Sequence, residues 1–234
     1  MKNKISILFL ILTGVIYSQK KNTDILMDVF DPSQNHQADT LFKPNYPEGI
    51  YISKLDFINK VPSSIKTVIP FEFTGFNEPS LDSIFHNCYF YDKETDKKIR
   101  KVFAISYHGH LYFQLKAILK NRNKYDRAQS TNYHNTFVRV ISGGENYFYT
   151  EAELVNQWAA GVSVNFGVIG GVIAGNLIKG NGIVWDFKNQ EFNIFKSCKD
   201  FNEFIEKIYP EGMQKCTKHQ PDMFDVRRTI DQIK

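Results

Sequence analysis

Residues 183–195 read IVWDF, KNQ and EFNIF, so that two five-residue apolar and aromatic runs flank three polar residues. Aromatic and β-branched residues favour strands. A short polar turn between two such runs predicts an antiparallel β-hairpin over Ile183–Phe187 and Glu191–Phe195. This predicted hairpin indicates that the fold is built on an antiparallel sheet.

Two further pairs of segments show the same pattern on the N-terminal side. Cys88–Tyr91 is followed by a polar turn and by a partly alternating run over Lys98–Tyr107. A turn at His108-Gly109-His110 then leads into more aromatic residues. Phe137–Ile141 and Tyr147–Tyr149 flank a Ser-Gly-Gly-Glu turn, which predicts another hairpin.

Short helices are expected between the strands. Gly49–Ile52 is a predicted strand, and Ser53 with Asp56 three residues later has the spacing of a helix capping box. Ile65–Phe73 is a second strand, whose proline suits an edge or a bulge. Ser197 is expected to cap a helix that runs through Ile208. The pattern has no βαβ alternation, and it predicts an α+β fold with a mainly antiparallel sheet built from successive hairpins.

The N-terminus has the features of a cleavable secretory signal. Lys2 and Lys4 precede an apolar run of about a dozen residues, Ile5–Ile16. We expect residues 1–18 to be removed by cleavage between Ser18 and Gln19. The mature protein is then exported to the periplasm, the cell envelope or the medium.

The mature chain is expected to have three parts. Residues 19–48 are polar and rich in turn-forming residues, which indicates a weakly structured linker. Residues 49–210 form a single α+β domain. Residues 211–234 are expected to be a polar, partly loose C-terminal tail.

Charge argues against nucleic acid as a partner. Removal of Lys2 and Lys4 with the signal lowers the formal net charge from +4 to +2. Nucleic-acid binding needs a clustered basic surface. The basic stretch Lys116–Arg127 is interpreted as a solvated loop.

The three cysteines fit an oxidising compartment. Cys198 and Cys216 lie 18 residues apart and flank the predicted C-terminal helix, so they are the expected disulfide pair. Cys88 lies among apolar residues and is expected to be a buried, unreactive thiol. The spacing CxxC does not occur, which argues against a zinc ribbon or a thioredoxin-like motif.

The segment Ala159–Ile178 contains no charged residue in 20 positions. Alternation over 161–168 predicts a buried strand and turn. A buried helix against the sheet is an alternative. The length, with glycines at a spacing of four, also fits a membrane span, which gives the protein a membrane contact through this segment.

No motif for a cofactor, a metal or a nucleophilic triad occurs in the sequence. His108 and His110 are the only closely spaced histidines, and they are interpreted as turn residues rather than as metal ligands. Glu151 and Glu153 are expected to begin a helix at Thr150, where acidic residues suit the helix N-terminus. We therefore expect no catalytic, cofactor-binding or metal-binding residues that sequence can identify.

The stretch Pro47–Ser53 with Asp56-Phe57, and the aromatic strands with a glycine turn over Val102–Phe113, resemble a family of uncharacterised exported proteins of Bacteroidota. This similarity covers about residues 49–150. It implies an envelope or secreted role and no catalytic residues.

Together these observations favour a non-enzymatic module that binds an envelope protein or a glycan. A membrane-anchored envelope protein that uses Ala159–Ile178 is one alternative. A hydrolase whose site is assembled from distant residues is another.

Overall fold

A computed structural model describes residues 41–72, 84–126, 129–156 and 179–234. Antiparallel strands and a few short helices make up these parts of the chain. The predicted α+β class with a mainly antiparallel sheet is therefore confirmed. The expected signal peptide, the expected cleavage site at Ser18–Gln19 and the segment Ala159–Ile178 lie outside the described residues. None of the described helices is both long enough and apolar enough to cross a membrane.

The first sheet begins at the start of the predicted domain. Its strands are β1 (Gly49–Tyr51), β2 (Val68–Glu72), β3 (Asn87–Asp92), β4 (Lys97–Lys98), β5 (Ala104–Tyr107), β6 (His110–Gln114) and β8 (Phe137–Arg139). They are ordered β1-β5-β6-β8-β3-β2, with β4 beside β3, and every pairing is antiparallel.

The first sheet is curled. Ile50 of β1 donates its backbone N–H to the carbonyl of Ser64 at 2.8 Å, in the segment that leads into β2. Ile50, Val68 and Phe90, from strands at opposite ends of the sheet, share one buried cluster. The sheet therefore wraps around this cluster.

The second sheet carries the hairpin at residues 183–195. Its strands are β7 (Gln129–Ser130), β9 (Ser142–Gly143), β10 (Tyr147–Asn156), β11 (Lys179–Asp186) and β12 (Glu191–Phe195). The order is β12-β11-β10-β7, with β9 beside β10. Ile183 pairs with Ile194 and Trp185 with Phe192, which confirms the predicted hairpin.

The chain crosses between the sheets at residues 140 and 141. Val140 donates its N–H to Leu111 in the first sheet, whereas Ile141 donates to Tyr149 in the second, both at 2.8 Å. The predicted hairpin of 137–141 with 147–149 is therefore wrong in its first arm. The first residues of that arm belong to the other sheet, and β9 takes their place beside β10.

The predicted strand over Lys98–Tyr107 is also divided. Lys101 has a left-handed φ of 58°, a conformation that interrupts an extended strand. β4 pairs with β3, and β5 pairs with β1 and β6. The two halves of the predicted strand therefore have different partners.

An aromatic core lies between the facing sides of the two sheets. Trp185 is fully buried, with its ring 5.6 Å from Phe57, 5.4 Å from Phe103 and 4.8 Å from Phe192. Edge-to-face and tilted contacts of this kind add to the free energy gained by burying the rings. The abundance of Phe and Tyr is thus accounted for largely by core packing.

The helices are α1 (Lys54–Ile58), α2 (Leu115–Lys120), α3 (Cys198–Ile205) and α4 (Met223–Ile233), with a 3₁₀ turn at Pro210–Gly212. Ser53 and Asp56 form the predicted capping box of α1, and the Ser197 side chain caps α3. Helix α2 occupies part of the stretch interpreted as a solvated loop. That interpretation was wrong for residues 116–120, because Ala117, Ile118 and Leu119 on α2 are buried.

Residues 211–234, expected to be a loose tail, contain α4. Val226 and Ile230 of this helix are fully buried in a cluster with Tyr149 of β10 and Phe201 of α3. Their spacing of four places them on one helical face. Val226 and Ile230 therefore pack α4 against the sheet, whereas Phe224 of the same helix is exposed.

Part of the expected linker also packs against the domain. Tyr46 is 6% exposed and stacks on Phe57 at 4.8 Å between ring centroids. Ser106 donates its hydroxyl to the Tyr46 carbonyl at 3.1 Å. Residues 41–48 thus line the first sheet before β1 begins.

Candidate functional site

A groove of about 580 Å³ runs beside the β11–β12 hairpin, and we call it the hairpin groove. Its walls are the segment 123–126, the hairpin end and helix α3. A volume of this size suits a small ligand or a few residues of a polymer.

The hairpin turn forms one end of the groove. Asp186 and Glu191 are the last cross-strand pair before the turn. Asp186 accepts the backbone N–H of Asn189 at 3.0 Å and its side-chain amide at 2.8 Å. The Asp186 carboxylate is therefore occupied in holding the turn.

The segment 121–123 lies along the outer edge of β12. Asn123 donates its backbone N–H to Phe192 at 2.8 Å, and Phe192 donates to Asn121 at 2.9 Å. This pairing covers an edge that would otherwise be open. It also fixes the Asn123 side chain over the outward face of the hairpin.

The floor of the groove is a polar side-chain ladder. The Asn123 amide donates to Glu191 Oε1 at 3.0 Å and to Asn193 Oδ1 at 3.1 Å. Glu191 and Asn193 are two apart on β12 and share a face, whereas Phe192 and Ile194 point into the core. Within the described chain, Glu191 Oε2 and the Asn193 amide nitrogen have no hydrogen-bond partner.

Two carboxyl groups of the groove have raised pKa values. Burial, with the nearby Asp186 charge, raises the pKa of Glu191. Burial also raises the pKa of Asp126, against the opposing effect of its 2.7 Å ion pair with Lys196. Asp126 additionally accepts the Ile194 backbone N–H at 3.2 Å. Glu191 is therefore the more available of these two acids.

Aromatic rings lie on both sides of the groove. Tyr125 is 78% exposed, and its backbone N–H is held by Asn123 Oδ1 at 3.1 Å. Tyr147 packs edge-on against Phe204 of α3 at 5.7 Å, and burial raises the pKa of its phenol. Lys124 Nζ lies 5.0 Å from the centroid of the Tyr125 ring. The remaining exposed surface of this ring, together with Glu191 Oε2 and the Asn193 amide nitrogen, can stack on and hydrogen-bond a polar ligand.

None of the histidines in the described ranges lines the groove. His108 and Gly109 form the β5–β6 turn with positive φ values, and His110 Nδ1 lies 3.2 Å from the Phe42 carbonyl. His86 Nε2 contacts the Glu151 carbonyl at 3.2 Å. In the part of the chain that the structure describes, no three His, Cys, Asp or Glu side chains are grouped to hold a metal ion.

Glu151 and Glu153 lie on β10, so the helix expected at Thr150 is wrong. Arg227 of α4 forms a bidentate ion pair with Glu151 at 2.7 and 2.6 Å. The Tyr149 hydroxyl also donates to the Glu151 carboxylate, at 2.7 Å. Burial raises the pKa of Glu151, but these hydrogen bonds outweigh that effect and lower it. Glu151 therefore ties α4 to the sheet.

Cys198 and Cys216 form a disulfide, the pair expected from their spacing. It joins the first residue of α3 to the loop that precedes α4. Cys88 is a buried free thiol, and burial raises its pKa, which makes it a poor nucleophile. Neither feature lies in the hairpin groove.

Sequence reasoning did not identify the groove residues. The hairpin pattern correctly predicted the strand that carries Glu191 and Asn193. The signal that could have selected these two residues is their position between apolar neighbours in EFNIF. Nothing in the sequence links them to Asn123, which is 68 residues away from Glu191.

Comparisons with known proteins identify a family but no function. A model described as "Family of unknown function (DUF6563)" matches residues 49–200, which is more than half of the chain. No curated protein and no solved structure matches the chain. The matched region contains both sheets and the groove residues from Asn123 to Asp200, whereas the groove residues from Glu203 to Ile208 follow it. The chain therefore belongs to the DUF6563 family, whose function is unknown.

Proposed function

We propose that this protein is an exported, non-enzymatic module that binds a glycan in the hairpin groove. The observation that carries the proposal is the exposed Tyr125 ring beside the free polar atoms of Glu191 and Asn193. The secretory signal expected in residues 1–18 and the similarity to exported proteins of Bacteroidota support a periplasmic, envelope or secreted location. An envelope protein partner is the alternative ligand.

Sugars combine features that suit this groove. A pyranose presents an apolar C–H face, which can stack on a tyrosine ring, and a rim of hydroxyl groups. A carboxylate oxygen accepts from one hydroxyl, while an amide N–H donates to its neighbour. Glu191 and Asn193 supply one of each from two positions on the same face of β12.

The state of Asp126 and Asp186, two of the five acidic residues known to line the groove, favours binding over hydrolysis. Glycoside hydrolysis uses two carboxyl groups that flank the scissile bond. Asp126 is paired with Lys196, and Asp186 holds the hairpin turn. Of the three acids Asp126, Asp186 and Glu191, only Glu191 is available, so no second carboxyl group among them can take part in hydrolysis.

A glycan array probed with the mature chain, residues 19–234, tests the proposal. Tyr125→Ala is expected to weaken binding about threefold to tenfold through lost stacking. Asn193→Ala is expected to weaken it through a lost hydrogen bond. Phe224→Ala, a matched aromatic control that is 70% exposed outside the groove, should leave binding unchanged. Glycan binding that none of the groove substitutions alters would refute the site.

A hydrolase is the second candidate, and the raised pKa of Glu191 is the observation that favours it. Turnover on a broad panel of hydrolase substrates, abolished by Glu191→Gln, would replace the binding proposal. Anchoring through Ala159–Ile178 is tested separately by carbonate extraction of membranes. A freely released pool would contradict anchoring. N-terminal sequencing of the exported protein tests cleavage between Ser18 and Gln19.

A further inference from the structure

Four large aliphatic side chains are exposed close together in the sequence, on and around helix α1. Ile52, Leu55, Val61 and Ile65 are each between 54% and 83% exposed. None of them lines the hairpin groove. Scattered apolar residues are normal on a protein surface, but a concentration of them marks an interaction site. We call these four residues the aliphatic patch.

Hydrogen bonds hold the patch in one closed unit. Ser63 donates its backbone N–H to Ile50 at 2.9 Å, and its hydroxyl accepts the Ile52 N–H at 2.9 Å. The same hydroxyl donates to Asp56 at 2.5 Å. Phe57 of α1 is fully buried and anchors the unit in the aromatic core. The aliphatic side chains are therefore displayed from a fixed frame.

The charges next to the patch are positive. Lys54 and Lys60 lie between and beside the patch residues. Lys54 Nζ donates to the Gln190 carbonyl at 3.3 Å, and Lys60 Nζ lies 5.1 Å from the centroid of the Tyr46 ring. The only acid between residues 52 and 65 is Asp56, and its carboxylate is occupied by Ser53 and Ser63. Lys66 is neutralised by Asp92 at 2.7 Å. The segment therefore combines exposed aliphatic side chains with two cations that form no ion pair of 4.0 Å or less within the described residues.

We propose that the aliphatic patch docks the protein onto an anionic lipid surface. The aliphatic side chains enter the boundary between headgroups and acyl chains, and Lys54 and Lys60 contact headgroup phosphates. Apolar burial combined with lysines near an anionic surface is the usual basis of interfacial binding.

The composition of the patch favours lipid over a protein partner. Protein interfaces are enriched in aromatic residues and arginine and are depleted in lysine. The composition of the patch differs from this. It has four aliphatic residues and two lysines, and there is no exposed aromatic side chain or arginine between residues 52 and 65. At an anionic membrane surface, apolar acyl chains lie beneath negatively charged headgroups. Aliphatic side chains flanked by lysines can contact both layers.

Cosedimentation of the mature chain with vesicles tests this proposal. Vesicles of phosphatidylglycerol and phosphatidylcholine are compared with vesicles of phosphatidylcholine alone. We expect binding to the anionic vesicles that weakens as salt is raised. Leu55→Ser with Ile65→Ser should reduce the partition coefficient by about tenfold or more. Lys54→Gln and Lys60→Gln should each reduce it about fivefold.

Controls separate this inference from the other proposals. Phe224→Ser, an exposed substitution outside the patch, should leave vesicle binding unchanged. Tyr125→Ala should weaken glycan binding without affecting vesicle binding, so the two proposals can fail independently. Circular dichroism verifies that each variant is folded. Anchoring through Ala159–Ile178 would give vesicle binding that the patch substitutions do not alter.

Three results would overturn the inference. The first is absence of binding to anionic vesicles. The second is binding that the patch substitutions leave unchanged. The third is self-association in sedimentation velocity that Leu55→Ser with Ile65→Ser abolishes, which would assign the patch to contacts between copies of this chain.

Discussion

Replacing Ile230 with alanine tests whether helix α4 is part of the folded domain, although it lies outside the 49–200 family match. Ile230 is fully buried against the second sheet and α3. The substitution removes three carbon atoms, each worth about 0.8 kcal/mol on burial, and leaves a cavity. We expect a loss of about 3 kcal/mol, within the range for such truncations.

Urea denaturation monitored by circular dichroism measures this loss. For a domain of this size, about 3 kcal/mol corresponds to a fall of about 6–12 °C in Tm. Gln232→Ala on the exposed side of the same helix is the matched control and should change stability by less than about 0.5 kcal/mol. If the two variants lose the same small amount, α4 does not pack as described.

Three further outcomes are expected. Removing the disulfide by substituting Cys198 and Cys216 with serine should cost about 3 kcal/mol in urea denaturation, and unchanged stability would contradict the pairing. Hydrogen bonds from a neighbouring lysine and from the turn backbone lower the pKa of Asp92 from 3.8 to about 2, so its stabilising contribution is full above pH 3.8 and is lost as the pH falls towards 2. Asp92→Asn should therefore make the free energy of unfolding less dependent on pH in this range, and an unchanged dependence would refute the assignment. Gly143→Ala should lower the free energy of unfolding by about 1–3 kcal/mol in thermal melts, because the added Cβ would lie 2.3 Å from a phenylalanine ring. Gly180→Ala is the control and should be tolerated, because a Cβ at that position has no atom within 4 Å.

Local patterns predicted the parts of the fold that local interactions determine. The β11–β12 hairpin and the caps at Ser53 and Ser197 depend on residues within a few positions of one another. The capping-box and hairpin rules therefore located them correctly. The antiparallel α+β class followed from the same local signals.

These local rules do not predict which strands that are distant in sequence pair with one another. An apolar run predicts a strand but not which strand pairs with it, so β8 was assigned to the wrong hairpin and 98–107 to a single strand. The helix expected at Thr150 failed for a related reason. Its acidic residues suit a helix N-terminus, but residues 147–154 pair fully with β11 in the sheet.

The hairpin groove was not predictable because its polar ladder joins separate segments. Glu191 and Asn193 alternate with core residues, so their outward direction could be inferred. Their contact with Asn123 depends on how the segment after α2 lies along β12, which tertiary packing determines. The exposed Tyr125 ring is placed by the same contact.

An NMR titration tests most directly whether the hairpin groove binds a glycan. The mature, ¹⁵N-labelled chain is titrated with the glycan that binds best on the array. We predict the largest shifts at Asn123, Tyr125, Glu191 and Asn193, with little change at α1 or α4. Shifts that are spread over other surfaces, or absent from these four residues at saturation, would contradict the proposed site.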